Sequence, residues 1–285
     1  MLRADITTIP ASTDRPNEDV AGRRGDAVVL MDGAGMPAAL RAGCTHTVDW
    51  FSRHAVDRYL HHLQDPAAPM KAALAQTISD VAALHSDTCD LDAGSPSATV
   101  VAVRRVGREL QHLVLSDSSL GLVGHDATTV ITDDSLSEVR HPLGDRLREL
   151  REGLDPTRDH AHPHLMEAWR EHDLAIRNPV SLVQSSDAQG FWCVGHRSEA
   201  ADHALTGRTP IEDLRGVVLA SDGAMRLAEI FGELTPEALL TAYLEDGADT
   251  WLARTRAVET EHHDESVRLW RKPHDDATVA IWRRP

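Results

Sequence analysis

Long apolar runs are missing from this chain. Nothing approaches the length of a membrane-spanning segment, and Met1-Leu2-Arg3-Ala4-Asp5-Ile6 lacks the apolar stretch of a signal peptide, which leads us to expect a cytoplasmic protein. Cysteine is also sparse. Cys44, Cys89 and Cys193 stand far apart with no Cys-x-x-Cys spacing, a pattern that suggests neither a zinc knuckle nor a disulfide framework and reads as buried structural thiols. Positive charge is in deficit: 29 basic against 45 acidic residues give a formal charge of −16, which argues against broad contact with nucleic acid or an anionic membrane. No internal repeat and no low-complexity linker divides the 285 residues, so a single domain over 1–285 is expected. The remaining composition, 41% apolar and 26% charged with 4% aromatic, is that of an ordinary globular protein.

The strongest local signal is Ala27-Val28-Val29-Leu30-Met31-Asp32-Gly33-Ala34-Gly35, an apolar run that stops at an acid followed by glycine. Its β-branched content and bounding glycines predict a strand buried on both faces, with Asp32 at its end. The same grammar returns in Gly216-Val217-Val218-Leu219-Ala220-Ser221-Asp222-Gly223. Glycine after the acid lets the backbone turn tightly or approach a ligand. His112-Leu113-Val114-Leu115-Ser116-Asp117 ends in an acid without the glycine, and the last run, Asp275-Asp276-Ala277-Thr278-Val279-Ala280-Ile281-Trp282, begins with acids. If that last strand runs antiparallel to the others, its start meets their ends and the acids collect at one edge of a sheet.

Between these runs, Ile6 to Pro10 predicts an edge strand, Thr47 to Leu63 and Ala67 to Leu84 two amphipathic helices, and Val100–Val103 with Leu110–Ser116 a hairpin around Gly107. Thr128 to Ile131 and Gly190 to Gly195 read as short strands and Ser198 to Leu205 as a short helix capped by Ser198. Ala224–Phe231, Pro236–Leu244 and Asp249–Val258 read as helices, Glu259–Glu265 as a solvated loop, and Val267–Trp270 and Ala277–Trp282 as strands. From His141 to Asn178 acids and bases alternate, five histidines occur and apolar periodicity is weak, which predicts an insertion or flap around 141–178, irregular and mobile, or else a solvated surface segment. His61-His62 is no metal pair, because adjacent residues do not share a helix face.

Convergence of Glu18, Asp32, Asp222 and Asp275 would crowd like charges, which cannot all ionise without a cation among them. An all-oxygen donor set with no His/Cys cluster selects Mg²⁺ or Mn²⁺ over zinc or copper, and the carbonyl of Gly33 could join the shell. Two such ions activate water for in-line displacement at phosphorus.

Asn17-Glu18-Asp19, Asp32-Gly33-Ala34-Gly35, Ser97-Ala98-Thr99, Ser116-Asp117-Ser118, Ser221-Asp222-Gly223 and Asp275-Asp276-Ala277-Thr278, in this order over nearly the whole chain, resemble the type 2C, metal-dependent serine/threonine protein phosphatases, in a bacterial-like form. The resemblance implies an α+β fold, a four-layer α-β-β-α sandwich of two antiparallel sheets flanked by helices. It implies Glu18, Asp32, Asp222 and Asp275 as metal ligands with the Gly33 carbonyl, Asp117 as a further metal-site acid, Asp19 as the holder of metal-bound water and Arg15 as the phosphate-binding arginine. Departures are specific. Ser116-Asp117-Ser118-Ser119 stands where the family has Gly-Asp-Ser-Arg, Arg226 replaces an acid that serves a third metal, so that two ions are expected, and Ala34 replaces the histidine of animal members, leaving protonation of the leaving group to water. The implied substrate is a phosphorylated protein. A small phosphorylated metabolite, or a catalytically weak binding or regulatory module that keeps the fold, are the alternatives. The oligomeric state is not encoded in any motif found here.

Overall fold

A computed structural model of the chain describes residues 3–34, 43–139, 142–154, 162–178, 190–270 and 272–284. Gly35, His141 and residues 155–161, on which part of the sequence reading falls, lie outside them. In chain order the strands are β1 (Ala4–Ile9), β2 (Val20–Arg24), β3 (Ala27–Met31), β4 (Val100–Val106), β5 (Glu109–Leu115), β6 (Ser119–Gly124), β7 (Thr128–Ile131), β8 (Leu205–Pro210), β9 (Leu214–Ala220) and β10 (Ala277–Arg283). The helices are α1 (Val48–His62), α2 (Met70–Ala83), α3 (Ser135–Glu138), α4 (Pro142–Arg151), α5 (Pro163–Ile176), α6 (Asp222–Glu229), α7 (Pro236–Asp246), α8 (Ala248–Glu261) and α9 (His263–Trp270).

The strands form two five-stranded sheets, ordered β1-β10-β9-β6-β7 and β2-β3-β4-β5-β8, and every pairing is antiparallel. Alternation along each strand explains the layers. In β3, Val28 and Leu30 enter the core between the sheets with Leu120, Val217, Leu219 and Ala280, whereas Ala27, Val29 and Met31 face Phe51, Tyr59, Leu74 and Ile78 of α1 and α2. In β9, Val217 and Leu219 point between the sheets, and Val218 and Ala220 pack on Leu239, Leu240 and Tyr243 of α7. The result is the expected α-β-β-α sandwich, and the continuous apolar runs are strands covered on both sides.

Local chemistry sets the boundaries. Thr47 caps α1 by accepting from the Trp50 N–H at 3.4 Å, and Thr235 caps α7 from the Ala238 N–H at 3.2 Å with Pro236 in the first turn. Gly107 turns the β4–β5 hairpin at φ +61°. Two buried tyrosines tie neighbouring helices within each helical layer, Tyr59 of α1 donating to the Met70 carbonyl of α2 at 3.2 Å and Tyr243 of α7 to the Ala224 carbonyl of α6 at 2.8 Å.

Three expectations need correction. Val267–Trp270 belongs to helix α9, not a strand, and Glu259–Glu265 is the end of α8 and the start of α9 instead of a loop. Gly190–Gly195 makes only isolated bridges, Phe191 to Arg177 and Val194 to Ala98, and Ser198 opens a 3-10 turn without capping it. The described parts of the 141–178 segment are largely helical: α4 and α5 pack together through Leu147, Leu165 and Ala168, and Met166 and Trp169 rest on Val48 at the start of α1.

Gly216 sits in β9 where a β-carbon would lie 2.4 Å from Leu244 Cδ1 and 2.6 Å from the Trp282 carbonyl oxygen. Gly216→Ala should therefore lower the unfolding free energy by about 1–3 kcal/mol, read as a shift of the urea midpoint.

Candidate active site

β10 runs antiparallel to β9, with Val279 opposite Ala220, so the residues before β10 meet those after β9. Two reciprocal bonds lock that junction: Ser221 N–H donates to the Thr278 carbonyl at 3.0 Å and Thr278 N–H donates to Ser221 Oγ at 2.9 Å. Asp222 thereby becomes the first residue of α6, where the helix N-terminus favours a negative charge. Gly223 is required by close approach, since a β-carbon there would fall 1.9 Å from the Asp276 carbonyl oxygen.

Asp32 follows β3 in the other sheet. Its carbonyl accepts from Thr99 N–H at 2.9 Å, Ala34 N–H donates to the Ser97 carbonyl at 3.0 Å, and Gly33 bridges to Ala98. Asp222 N–H donates to Asp32 Oδ2 at 3.3 Å, a bond that joins the two sheets' Asp-Gly ends directly. The Asn17-Glu18-Asp19 turn is anchored to the same place. Asp276 accepts from Ala11 N–H at 2.6 Å and from Glu18 N–H at 2.8 Å, while Asn17 Oδ1 holds Asp19 N–H at 2.9 Å and Asn17 Nδ2 donates to Thr8 Oγ1 at 2.7 Å. A β-carbon on Gly33 would sit 2.7 Å from the Glu18 carbonyl oxygen and 2.5 Å from Val48 Cγ1, so Glu18 and Asp32-Gly33 are immediate neighbours.

Repulsion marks the centre. Removal from water pushes Asp32 well above the usual carboxylate range, reinforced by the charges of Asp19, Asp222 and Asp275. Burial pushes Asp19 up to about 7; the Ser221 hydroxyl opposes this and Asp222 adds to it. Both Asp19 carboxylate oxygens are buried without a well-formed hydrogen bond. Asp275 is raised to about 6, first by burial and then by Asp222, against the pull of Lys272. Asp117 lies to one side: desolvation raises it, and Asp117 and Asp222 both act on Glu229 of α6. Arg15 is exposed in the loop before Asn17.

Among the described residues two cations reach this centre, Lys272 and Arg226, of which the sequence motifs single out Arg226 alone. Lys272 Nζ forms an ion pair with Asp275 Oδ2 and feels Asp222 and Asp32, which keep it protonated despite desolvation. Arg226 is buried with its Nε 2.9 Å from Glu259 Oε1, and one of its terminal nitrogens is 4.0 Å from Asp275 Oδ2. Lys272 could have been found from its place three residues before Asp275; Glu259, which is completely buried, carries no such signal. The absent motif glycine has a conformational trace: Ser116 holds φ +66°, with its N–H donating to Asp133 Oδ2 at 3.0 Å.

No family model matches the chain, and no curated protein matches it in sequence. Solved structures do. The Mycobacterium tuberculosis serine/threonine phosphatase PstP/Ppp superposes with a TM-score of 0.55 at 19% identity, covering 99% of this chain and 98% of that one. This chain has the fold of a bacterial serine/threonine phosphatase. Serine/threonine phosphatase Stp1 from Staphylococcus aureus is similar at TM-score 0.54 and 14% identity over 100% of this chain and 96% of that one. The catalytic domain of PstP in complex with two manganese ions is similar at TM-score 0.53 and 19% identity, over 99% of this chain and 97% of that one.

In the folded chain Asp19 and Asp275 retain protons that the unfolded chain, at the ordinary aspartate value of 3.8, has released. Their contribution is full below about pH 4 and is lost as pH rises through about 6–7. In chelator, the thermal midpoint should accordingly be lower at about pH 7.5 than at about pH 5.5. Saturating Mn²⁺ should abolish that difference.

Proposed function

We propose that this protein is a Mg²⁺- or Mn²⁺-dependent phosphatase of the type 2C kind, acting on phosphoserine and phosphothreonine in proteins. The observation that carries the reading is the meeting of Asp19, Asp32, Asp222 and Asp275 at one end of a sandwich shared with solved serine/threonine phosphatases. The donor set fits hard divalent cations: it is all oxygen, its acids repel one another, and the buried Asp19 oxygens have no well-formed hydrogen bond. Among the described residues, the only group of three or more metal-ligating side chains with donor atoms all within 4.8 Å of one another is elsewhere in the molecule. This looser spacing suits Mg²⁺ or Mn²⁺ holding several waters better than an all-protein cage.

Asp32, Asp222, Asp275, Glu18 and the Gly33 carbonyl would hold two ions, with Asp117 on the Glu229 side of Asp222. Bound there, the cations supply Lewis-acid stabilisation of phosphoryl oxygens and lower the pKa of water. Asp19, whose buried carboxylate oxygens lack a well-formed hydrogen bond, would accept one from the attacking water and orient it. Arg15, exposed two residues before Asn17, would present a fork of donors to the phosphate. Ala34 leaves protonation of the departing oxygen to water. The α4–α5 pair, seated on Val48 next to Gly33, forms a flap that borders the substrate. Among the described residues no helix is long and apolar enough to cross a membrane.

Phosphopeptide hydrolysis with Mn²⁺ should stop on chelation, and Asp32→Ala should lower kcat by at least about 10³-fold. Metal-replete inactivity on phosphopeptides would overturn the reading, while turnover of small phosphorylated metabolites alone would redirect it to them.

Lys272 and Arg226 favour one second reading, a regulatory module of the same fold whose own cations stand among the acids. Calorimetry separates the two. An enzyme binds Mn²⁺ with Lys272 in place, and Lys272→Met should tighten that binding about tenfold, or about 1.4 kcal/mol, by removing the competing charge. A regulatory module binds Mn²⁺ only in the variant.

A further inference from the structure

The three cysteines, read from their spacing as isolated buried thiols, are not all isolated. Cys44 and His46 lie just before α1, and His85 and Cys89 just after α2. Because α1 and α2 are antiparallel neighbours, the start of one meets the end of the other, and Asp90 N–H donates to the Gly43 carbonyl at 2.8 Å to clamp the two segments. Cys44 Sγ stands 3.2 Å from Cys89 Sγ, 3.3 Å from His85 Nδ1 and 3.5 Å from His46 Nδ1, and Cys89 Sγ is 3.5 Å from His46 Nδ1. All four donor atoms lie within 4.8 Å of one another.

We propose that Cys44, His46, His85 and Cys89 form a structural zinc site. Tetrahedral ligation with Zn–S of about 2.3 Å and Zn–N of about 2.0–2.1 Å separates donors by about 3.3–3.8 Å, close to what these side chains adopt. A set of two thiolates and two imidazoles selects Zn²⁺ over the hard cations suited to the acids. The sulfur atoms are well beyond the bond length of about 2.05 Å that a disulfide requires.

The surroundings are consistent with ligation. Binding releases both thiol protons, and two thiolates neutralise the ion exactly once. The Trp50 ring lies over His46 at 4.1 Å and beside His85 at 5.2 Å, shielding the group. Each of the four side chains thus turns one donor atom, a sulfur or an Nδ1, toward a common point.

Zinc would staple the entry of α1 to the exit of α2. It would also fix the far end of the connection that leaves Asp32-Gly33, since Val48, in the first turn of α1, is what contacts Gly33. The site's role is structural support for the acid centre, with no part in the chemistry there.

The test is metal content of the intact chain by mass spectrometry after dialysis against a weak chelator. About one zinc per chain is expected, retained in Asp32→Ala/Asp222→Ala and lost in Cys44→Ser/Cys89→Ser. Cobalt added to the zinc-free protein should give the intense visible absorption of tetrahedral Co²⁺ with a thiolate charge-transfer band. If the double serine variant does not fold, titration of the native chain with a mercurial reagent should release zinc in step with thiol modification, and His46→Asn should weaken retention. Zinc lost with the aspartates and kept without the cysteines would overturn the proposal. So would a metal-free protein without a tetrahedral cobalt spectrum, or one whose unreduced mass shows a Cys44–Cys89 disulfide.

Discussion

Carboxylates that repel one another are the constraint around which this molecule is built. Folding takes Asp19, Asp32 and Asp275 out of water beside Asp222, whose charge adds to the cost of ionising each of the three. That cost has to be offset by the rest of the chain. The offset comes from two fully covered strands, β3 and β9, whose apolar faces bury against both the opposite sheet and a helical layer. Functional crowding at one end of the sandwich is thus held in place by hydrophobic burial along its length.

Much of this was legible in the amino-acid order. Unbroken apolar runs ending in Asp-Gly announce strands buried on both faces, and an antiparallel return by Asp275–Trp282 is enough to gather the acids. Periodicity fails where segments are short. Val267–Trp270 offers too few residues to separate a period of two from one of 3.6, and packing next to α8 makes it helical. In 142–176 the charged residues dominate the count, but sparse apolar positions such as Leu147, Leu165 and Ala168 suffice to join two helices. The Cys44, His46, His85 and Cys89 group is hidden for a different reason. Its halves, Cys-x-His and His-x-x-x-Cys, match no familiar spacing, and only the antiparallel path of α1 and α2 brings them together.

The departures from the type 2C pattern also have physical counterparts. Ser116 keeps a left-handed backbone where the family pattern has glycine, at a cost a serine tolerates when its N–H is held by Asp133. Arg226, in the place of an acid, does not float free among the carboxylates but is drawn back toward Glu259. Lys272 completes a local charge balance at Asp275. Basic residues from the α8–β10 connection and α6 therefore offset part of the negative charge of the centre.

Glu259 of α8 ties three elements together. This fully buried carboxylate gathers Arg226 of α6, Arg256 at 2.5 Å and His274 at 2.9 Å, and Arg256 in turn donates to the carbonyls of Ile9, Pro10 and Asp275. One anion on the outer helical layer thus acts as a keystone, wedging the end of β1, the lead-in to β10 and the body of α6 into a single rigid joint. Through Arg256, α8 is thereby tied to the backbone carbonyl of Asp275, one of the acids themselves.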